Sequence, residues 1–131
     1  MRSFSLCALA AVFALTGCHS AVIDATLSNR TAEPLSLVEV DYPSASFGTQ
    51  SLAPGRDFHY RFKVLGNGPA TILWTDAAHQ DHKSSGLDLH EGEEGKLTIL
   101  FNPNAAPTWD LLLPGNTHVS GVLPEASSSP K

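Results

Sequence analysis

The chain has 131 residues, of which 42% are hydrophobic and 16% are charged, and its formal net charge is −5. This length suits a single domain, and the few scattered basic residues argue against a surface that neutralises nucleic-acid phosphates. The two cysteines, Cys7 and Cys18, both lie near the start of the chain. The remainder therefore offers no thiol for a disulfide, a zinc cluster or a catalytic nucleophile.

The first eighteen residues have the pattern of an export signal. Arg2 supplies a positive start, residues 4–15 are almost wholly apolar, and small residues lead into Cys18. The apolar stretch is shorter than the ~20 residues that a transmembrane helix needs. The run Leu15-Thr16-Gly17-Cys18 resembles the lipobox of bacterial lipoproteins.

This resemblance implies that residues 1–17 are a signal peptide and that lipidated Cys18 opens a short mature N terminus, residues 18–21. In that family the cysteine sulfur carries a diacylglyceryl group, and two acyl chains suffice for stable anchoring. The alternative is an ordinary signal peptide cleaved nearby, with Cys18 incidental. His19 stands where aspartate tends to retain such lipoproteins at the inner membrane, so we expect the periplasmic side of the outer membrane.

Residues 22–101 alternate apolar and polar side chains in short segments bounded by turn residues, which is typical of β-strands. The clearest alternation follows Pro54-Gly55, a pair that fits the centre of a type II turn. Its predicted inward face carries four apolar residues: Phe58, Tyr60, Phe62 and Val64. We predict an all-β fold, an antiparallel β-sandwich of about seven strands that is immunoglobulin-like in architecture.

Three local patterns refine this prediction. Leu35 and Leu37 are out of phase with the apolar residues that follow them, which predicts a β-bulge or a covered outer face. Asp76 opens a predicted hairpin turn and is expected to bond backbone amides two residues on. After Phe101, proline and glycine recur too often for regular structure. We therefore predict a partly disordered, Pro-rich extension over residues 102–131, with an apolar island at Trp109–Leu113.

Four short motifs also resemble a pattern found in small bacterial envelope domains. They are Asn29-Arg30-Thr31, Pro34–Val38, Leu52-Ala53-Pro54-Gly55 and Phe58. In those domains an N-x-T … V-x-V hairpin precedes an L-x-P-G-x-x-F turn and strand. The resemblance covers about a third of the chain; it implies a sandwich fold and no particular activity.

Histidines are the only candidates for site chemistry. His79, Asp81 and His82 fall in one predicted hairpin, and imidazole with carboxylate suits a divalent metal. They lack the spacing of a helical zinc motif, so a solvated hairpin tip is the better interpretation. His90 and the acidic residues after it form a second polar group, interpreted as a solubilising turn rather than a calcium loop. We predict no cofactor.

No nucleophile elbow, phosphate-binding loop or carboxylate pair indicates an enzyme. We predict instead a membrane-tethered, non-enzymatic binding or structural module for a protein or envelope partner. Its candidate surface consists of four apolar residues at nominally outward positions: Leu35, Leu37, Leu73 and Leu100. The alternatives are a metal-binding lipoprotein using the hairpin of His79, Asp81 and His82, and a small lipid-anchored hydrolase, for which there is no motif.

Overall fold

The computed structural model describes residues 20–123, which form nine β-strands and no helix. The strands are β1 Ile23–Asn29, β2 Leu35–Tyr42, β3 Ala45–Leu52, β4 Asp57–Phe62, β5 Gly68–Thr75, β6 Asp81–Leu89, β7 Gly95–Phe101, β8 Thr108–Leu113 and β9 Thr117–Val122. The predicted signal peptide, Cys18, His19 and residues 124–131 lie outside the described residues. Within the described part, no helix is long and apolar enough to cross a membrane.

The strands form a five-stranded sheet in the order β4-β1-β7-β8-β9 and a four-stranded sheet in the order β3-β2-β5-β6. Residues from both sheets share one hydrophobic core, as in a β-sandwich. The all-β prediction is confirmed. The prediction of a wholly antiparallel arrangement is corrected at one pair, because β1 runs parallel to β7. That pairing joins strands more than sixty residues apart, and local alternation carries no information about it.

The alternation of apolar and polar residues in the sequence correctly predicted the inward faces of three central strands. Ile23 and Leu27 in β1, Ile72 in β5, and Leu97 and Ile99 in β7 are fully buried. Burying each aliphatic side chain of this size contributes about 1.5–3 kcal/mol. Since β1 and β7 are neighbours in one sheet and β5 lies in the other, these side chains hold the two sheets together.

The aromatic face of β4 closes one side of the sandwich. Phe62 is 4% exposed, and its ring centroid lies 4.5 Å from that of Tyr42 in β2. Tyr60 is 43% exposed and stacks on Phe47 of β3 with centroids 4.6 Å apart. The predicted inward face of β4 is therefore confirmed, but Tyr60 remains partly exposed because β4 is an edge strand.

A β-bulge in β2 explains the two leucines that were out of phase. The pairing of β2 with β5 shifts by one residue between Ser36 and Glu39, and Leu37 within the shift has a φ of +50°. The extra residue reverses the inside–outside phase of the strand. Leu35 therefore packs in the core at 4% exposure, and its predicted outward position was wrong.

The chain beyond Phe101 continues the five-stranded sheet as the hairpin β8–β9. Leu111 pairs with Leu97 of β7 and is buried, while Trp109 and Leu113 of the predicted apolar island pack against the core. The sheet thus extends to Val122, past the predicted end of the sandwich, and the strand number rises from about seven to nine in the described residues.

The register of the strands defines two ends of the sandwich. At the far end, β1 and β7 end side by side at Asn29 and Phe101, and β5 ends at Thr75. At the near end, β1 begins, and the Gly95 amide donates to the Val22 carbonyl at 3.3 Å. With about 3.3 Å per residue, the seven residues of β1 separate the two ends by about 20 Å.

Candidate binding groove at the far end

Asn29, the last residue of β1, organises the loops at the far end. Its side chain is fully buried, and its Nδ2 donates to the carbonyls of Glu33 at 2.8 Å and Leu52 at 2.9 Å. Its Oδ1 accepts from the Thr31 amide at 2.9 Å and from the Thr31 hydroxyl at 2.6 Å. One side chain therefore ties the β1–β2 loop to the end of β3 in the other sheet.

The backbone of Asn29 adds two further connections. Its amide donates to the Arg56 carbonyl at 3.0 Å, and its carbonyl accepts from the Gly55 amide at 2.8 Å. Gly55 has a φ of +73°, and Arg56 N donates to Ala53 O at 3.1 Å, which confirms the predicted turn at Pro54-Gly55. The β3–β4 turn is thereby held against the end of β1.

The turn between β5 and β6 forms the second wall of the far end. Asp76 Oδ1 accepts from the Ala78 amide at 2.9 Å and from the Gln80 amide at 3.0 Å, as the sequence predicted for this turn. Asp76 Oδ2 lies 2.7 Å from His82 Nε2. The hydrogen bond with His82 and those from the two amides lower the pKa of Asp76 below its usual 3.8.

The His82 ring is held by Trp74 as well as by Asp76. The two rings stack with centroids 5.1 Å apart and an interplanar angle of 10°. Trp74 in turn meets Phe101 edge to face at 5.3 Å. Because Trp74 is 9% exposed, this stack joins the turn to the core and presents little aromatic surface to solvent.

These elements enclose an open groove of about 910 Å³. The β1–β2 loop, the β5–β6 turn and the β7–β8 loop each contribute to it. Its lining includes two carboxylates, Glu33 and Asp76, and no lysine or arginine. Small apolar residues form much of the remaining wall: Ala77, Ala78, Ala105, Ala106 and Pro107. The groove is of the size that accommodates a small molecule or a short segment of chain.

The structure separates the residues that the sequence offered as metal ligands. His82 is bonded to Asp76, whereas Asp81, its neighbour on β6, faces the other side of the strand and accepts from the Thr75 hydroxyl at 2.7 Å. His79 is exposed in the turn with a φ of +60°, and His90 lies at the near end. Among residues 20–123, no group of three or more His, Cys, Asp or Glu side chains is arranged to hold a metal ion.

The four leucines of the predicted contact surface also separate. Leu35 is in the core, and Leu37 is 64% exposed at the bulge. Leu73 lies on β5 of the four-stranded sheet, and Leu100 lies on β7 of the five-stranded sheet. Since both are half-buried on the outer faces of different sheets, they do not form one patch.

Sequence reasoning interpreted Asn29 only as part of a polar turn and of the N-x-T motif. Its burial depends on Leu52, twenty-three residues away, so the contact is invisible to local patterns. The available signal was the spacing of Asn29 and Thr31, which suits an Asx-type turn. It indicates a local bond but not the link between sheets.

The lowered pKa of Asp76 predicts an acid dependence of stability. Because the folded state favours the carboxylate, this contribution is present above the unfolded pKa and is lost as the pH falls through the lower folded value. We expect Asp76→Asn to reduce the loss of stability on acidification below about pH 4. Urea midpoints measured across this range test the prediction, with Asp88→Asn, an exposed carboxylate on β6, as the charge-matched control. Identical acid dependence in wild type and Asp76→Asn would contradict it.

Comparisons with protein-family models, curated proteins and solved structures find no match to this chain.

Proposed function

We propose that this protein is a bacterial envelope lipoprotein, anchored through a diacylglyceryl group on Cys18, that binds a protein or envelope component without catalysing a reaction. The lipobox-like run Leu15-Thr16-Gly17-Cys18 supports the anchor. His19 after the cysteine supports the outer membrane, on its periplasmic side. We propose an immunoglobulin-like architecture for the domain, although the order β3-β2-β5-β6 shares only its central pair with the ABED sheet of a constant domain.

One geometric relation carries the proposal. Strand β1 begins at Ile23, at the near end and five residues after Cys18, whereas the groove lies at the far end, about 20 Å away. A domain held at Cys18 has almost no linker before β1, so its near end lies against the bilayer and its groove faces away from it. Tethering also raises the effective concentration of the groove near its partners, so a contact of modest affinity is sufficient.

The polar groups around the groove support a binding role rather than catalysis. The Asp76 carboxylate caps the β5–β6 turn, and His82 is fixed between that carboxylate and Trp74. Both groups are thus engaged in holding the turn. No observation favours the metal-binding alternative, since Asp81 faces away from His82.

Photo-crosslinking in native membranes tests this function. Benzoylphenylalanine placed at Ala78 in the β5–β6 turn or at Ala105 in the β7–β8 loop, both of which line the groove, is expected to capture the same envelope component. The matched control places it at Glu91, an exposed turn position at the near end. Capture of that component equally well from Glu91, or no adduct from either wall of the groove, would contradict the proposed role of the groove.

A further inference from the structure

Strand β2 presents three residues that are unfavourable in the isolated domain. Leu37, Glu39 and Asp41 lie on one strand, and we call them the β2 ridge. Leu37 has a φ of +50°, a region that strains leucine but suits glycine. It is also 64% exposed, so burial of its side chain does not offset that strain.

The two carboxylates of the β2 ridge are not neutralised. The Asp41 carboxyl group, through hydrogen bonding and through its charge, raises the pKa of Glu39. Within the described residues, neither carboxylate forms an ion pair with lysine or arginine. Like charges on neighbouring positions of a strand face repel each other, so this part of the sheet has an uncompensated negative charge.

A trough of about 340 Å³ lies beside the ridge. Leu37, Glu39, Gly48 and Gln50 line it, and Gly48 of β3 pairs with Glu39. A Cβ atom at Gly48 would lie within 2.1 Å of the Val38 carbonyl oxygen, so the two strands approach too closely there for any side chain. The floor of the trough is therefore bare backbone, next to the exposed side chain of Leu37 and the carboxylate of Glu39.

We propose that the β2 ridge docks an extended, basic segment of a protein partner. An apolar side chain of that segment packs against Leu37, and lysine or arginine side chains pair with Glu39 and Asp41. Charge complementarity supports this occupant, because the carboxylates have no cation of their own. The spacing of Glu39 and Asp41 supports it too, since both lie in the regular part of β2 after the bulge, where alternate residues repeat at the same distance as those of an extended segment. This surface is separate from the far-end groove, and the proposal does not depend on the groove binding anything.

The test uses the full chain in its native membrane. Benzoylphenylalanine replaces Gln50 on the trough wall, and mass spectrometry identifies the captured segment. We expect a protein segment with lysine or arginine at alternate positions. Leu37→Gly, and separately Glu39→Gln with Asp41→Asn, are expected to reduce the adduct by at least about tenfold. The matched controls are Leu65→Gly, which removes another leucine that is 60% exposed, and Asp88→Asn with Glu91→Gln, which removes two exposed carboxylates elsewhere.

The stability of the Leu37→Gly variant provides a second readout, because binding is expected to fall while stability is expected to stay the same or to rise. If Leu37 serves only binding, Leu37→Gly relieves strain and unfolds at the same or a higher urea concentration than wild type. A lower midpoint would assign Leu37 a structural role and overturn the proposal. The proposal is also overturned if the captured molecule is a second copy of this chain, a lipid, a glycan or a segment without basic residues. An adduct insensitive to both ridge variants, or the absence of any adduct, also overturns it.

Discussion

Asn29→Asp is expected to destabilise the domain by about 2–6 kcal/mol. Aspartate has the same shape but lacks the Nδ2 donors, so the buried bond to the Leu52 carbonyl is lost and the Glu33 carbonyl keeps only the Thr31 hydroxyl as a donor. A buried acceptor left unpaired costs about 1–3 kcal/mol, and the new carboxylate, itself buried beside that carbonyl, adds the cost of an uncompensated buried charge. This loss is a large part of the stability of an ordinary domain, which is about 5–15 kcal/mol.

Urea unfolding of the soluble domain measures this effect, and Asn67→Asp is the matched control. Asn67 is exposed at the near end, where its Oδ1 accepts from the Glu91 amide at 2.8 Å. Aspartate retains that acceptor, so Asn67→Asp is expected to unfold close to wild type. Equal midpoints for the two variants would show that Asn29 does not hold the far-end loops together.

Cys18→Ala is expected to transfer the protein almost completely from the detergent phase to the aqueous phase. Each buried methylene of an acyl chain contributes about 0.8 kcal/mol to membrane binding, and two chains give stable anchoring. Without them, the domain has a net charge of the same sign as anionic headgroups and does not bind them electrostatically. Detergent phase partitioning of cell envelopes measures the change.

Cys7→Ala is the control for that experiment, because Cys7 lies in the predicted signal and is removed with it. The Cys7→Ala substitution removes the only other thiol of the chain and is expected to leave detergent-phase partitioning unchanged. Retention of Cys18→Ala in the detergent phase would show that something other than a lipid on Cys18 holds the protein to the membrane.

Local patterns were sufficient where a strand has one face in the core. Buried residues alternate from Ile23 to Leu27 in β1, from Ala70 to Trp74 in β5 and from Leu97 to Phe101 in β7, so the period of two appears directly in the sequence. The turn at Asp76 was predictable for the same reason, since an aspartate bonding its own backbone two residues on is a local event.

Long-range contacts account for what the sequence did not predict. The parallel pairing of β1 with β7 and the bond from Asn29 to Leu52 join distant parts of the chain. The bulge at Leu37 was anticipated, but only the pairing with β5 decides that Leu35 turns inward.

Proline and glycine misled the prediction of β8 and β9. Pro107 and Pro114 stand just outside the two ends of β8, where they bound the strand and do not interrupt it. Gly115 and Asn116, with φ values of +83° and +60°, form the tight turn into β9. Because these turn residues lie so close together, the sequence predicted irregular structure, although they bound and separate two strands of six residues each.

Two of the predicted metal ligands show how strand geometry limits a sequence argument. Asp81 and His82 are adjacent in the chain, yet successive residues of a strand face opposite sides. The side chain of His82 is bonded instead to Asp76 across the turn. Asp76 precedes His79 by three positions and was not among the ligands of the metal hypothesis.

Intact-mass spectrometry of the protein extracted from its membrane tests the account most directly. A polypeptide that begins at position 18 and carries the added mass of a thioether-linked diacylglyceryl group is the predicted result. An unmodified chain, or one that still contains residues 1–17, would contradict the anchor and the orientation of the groove that follows from it.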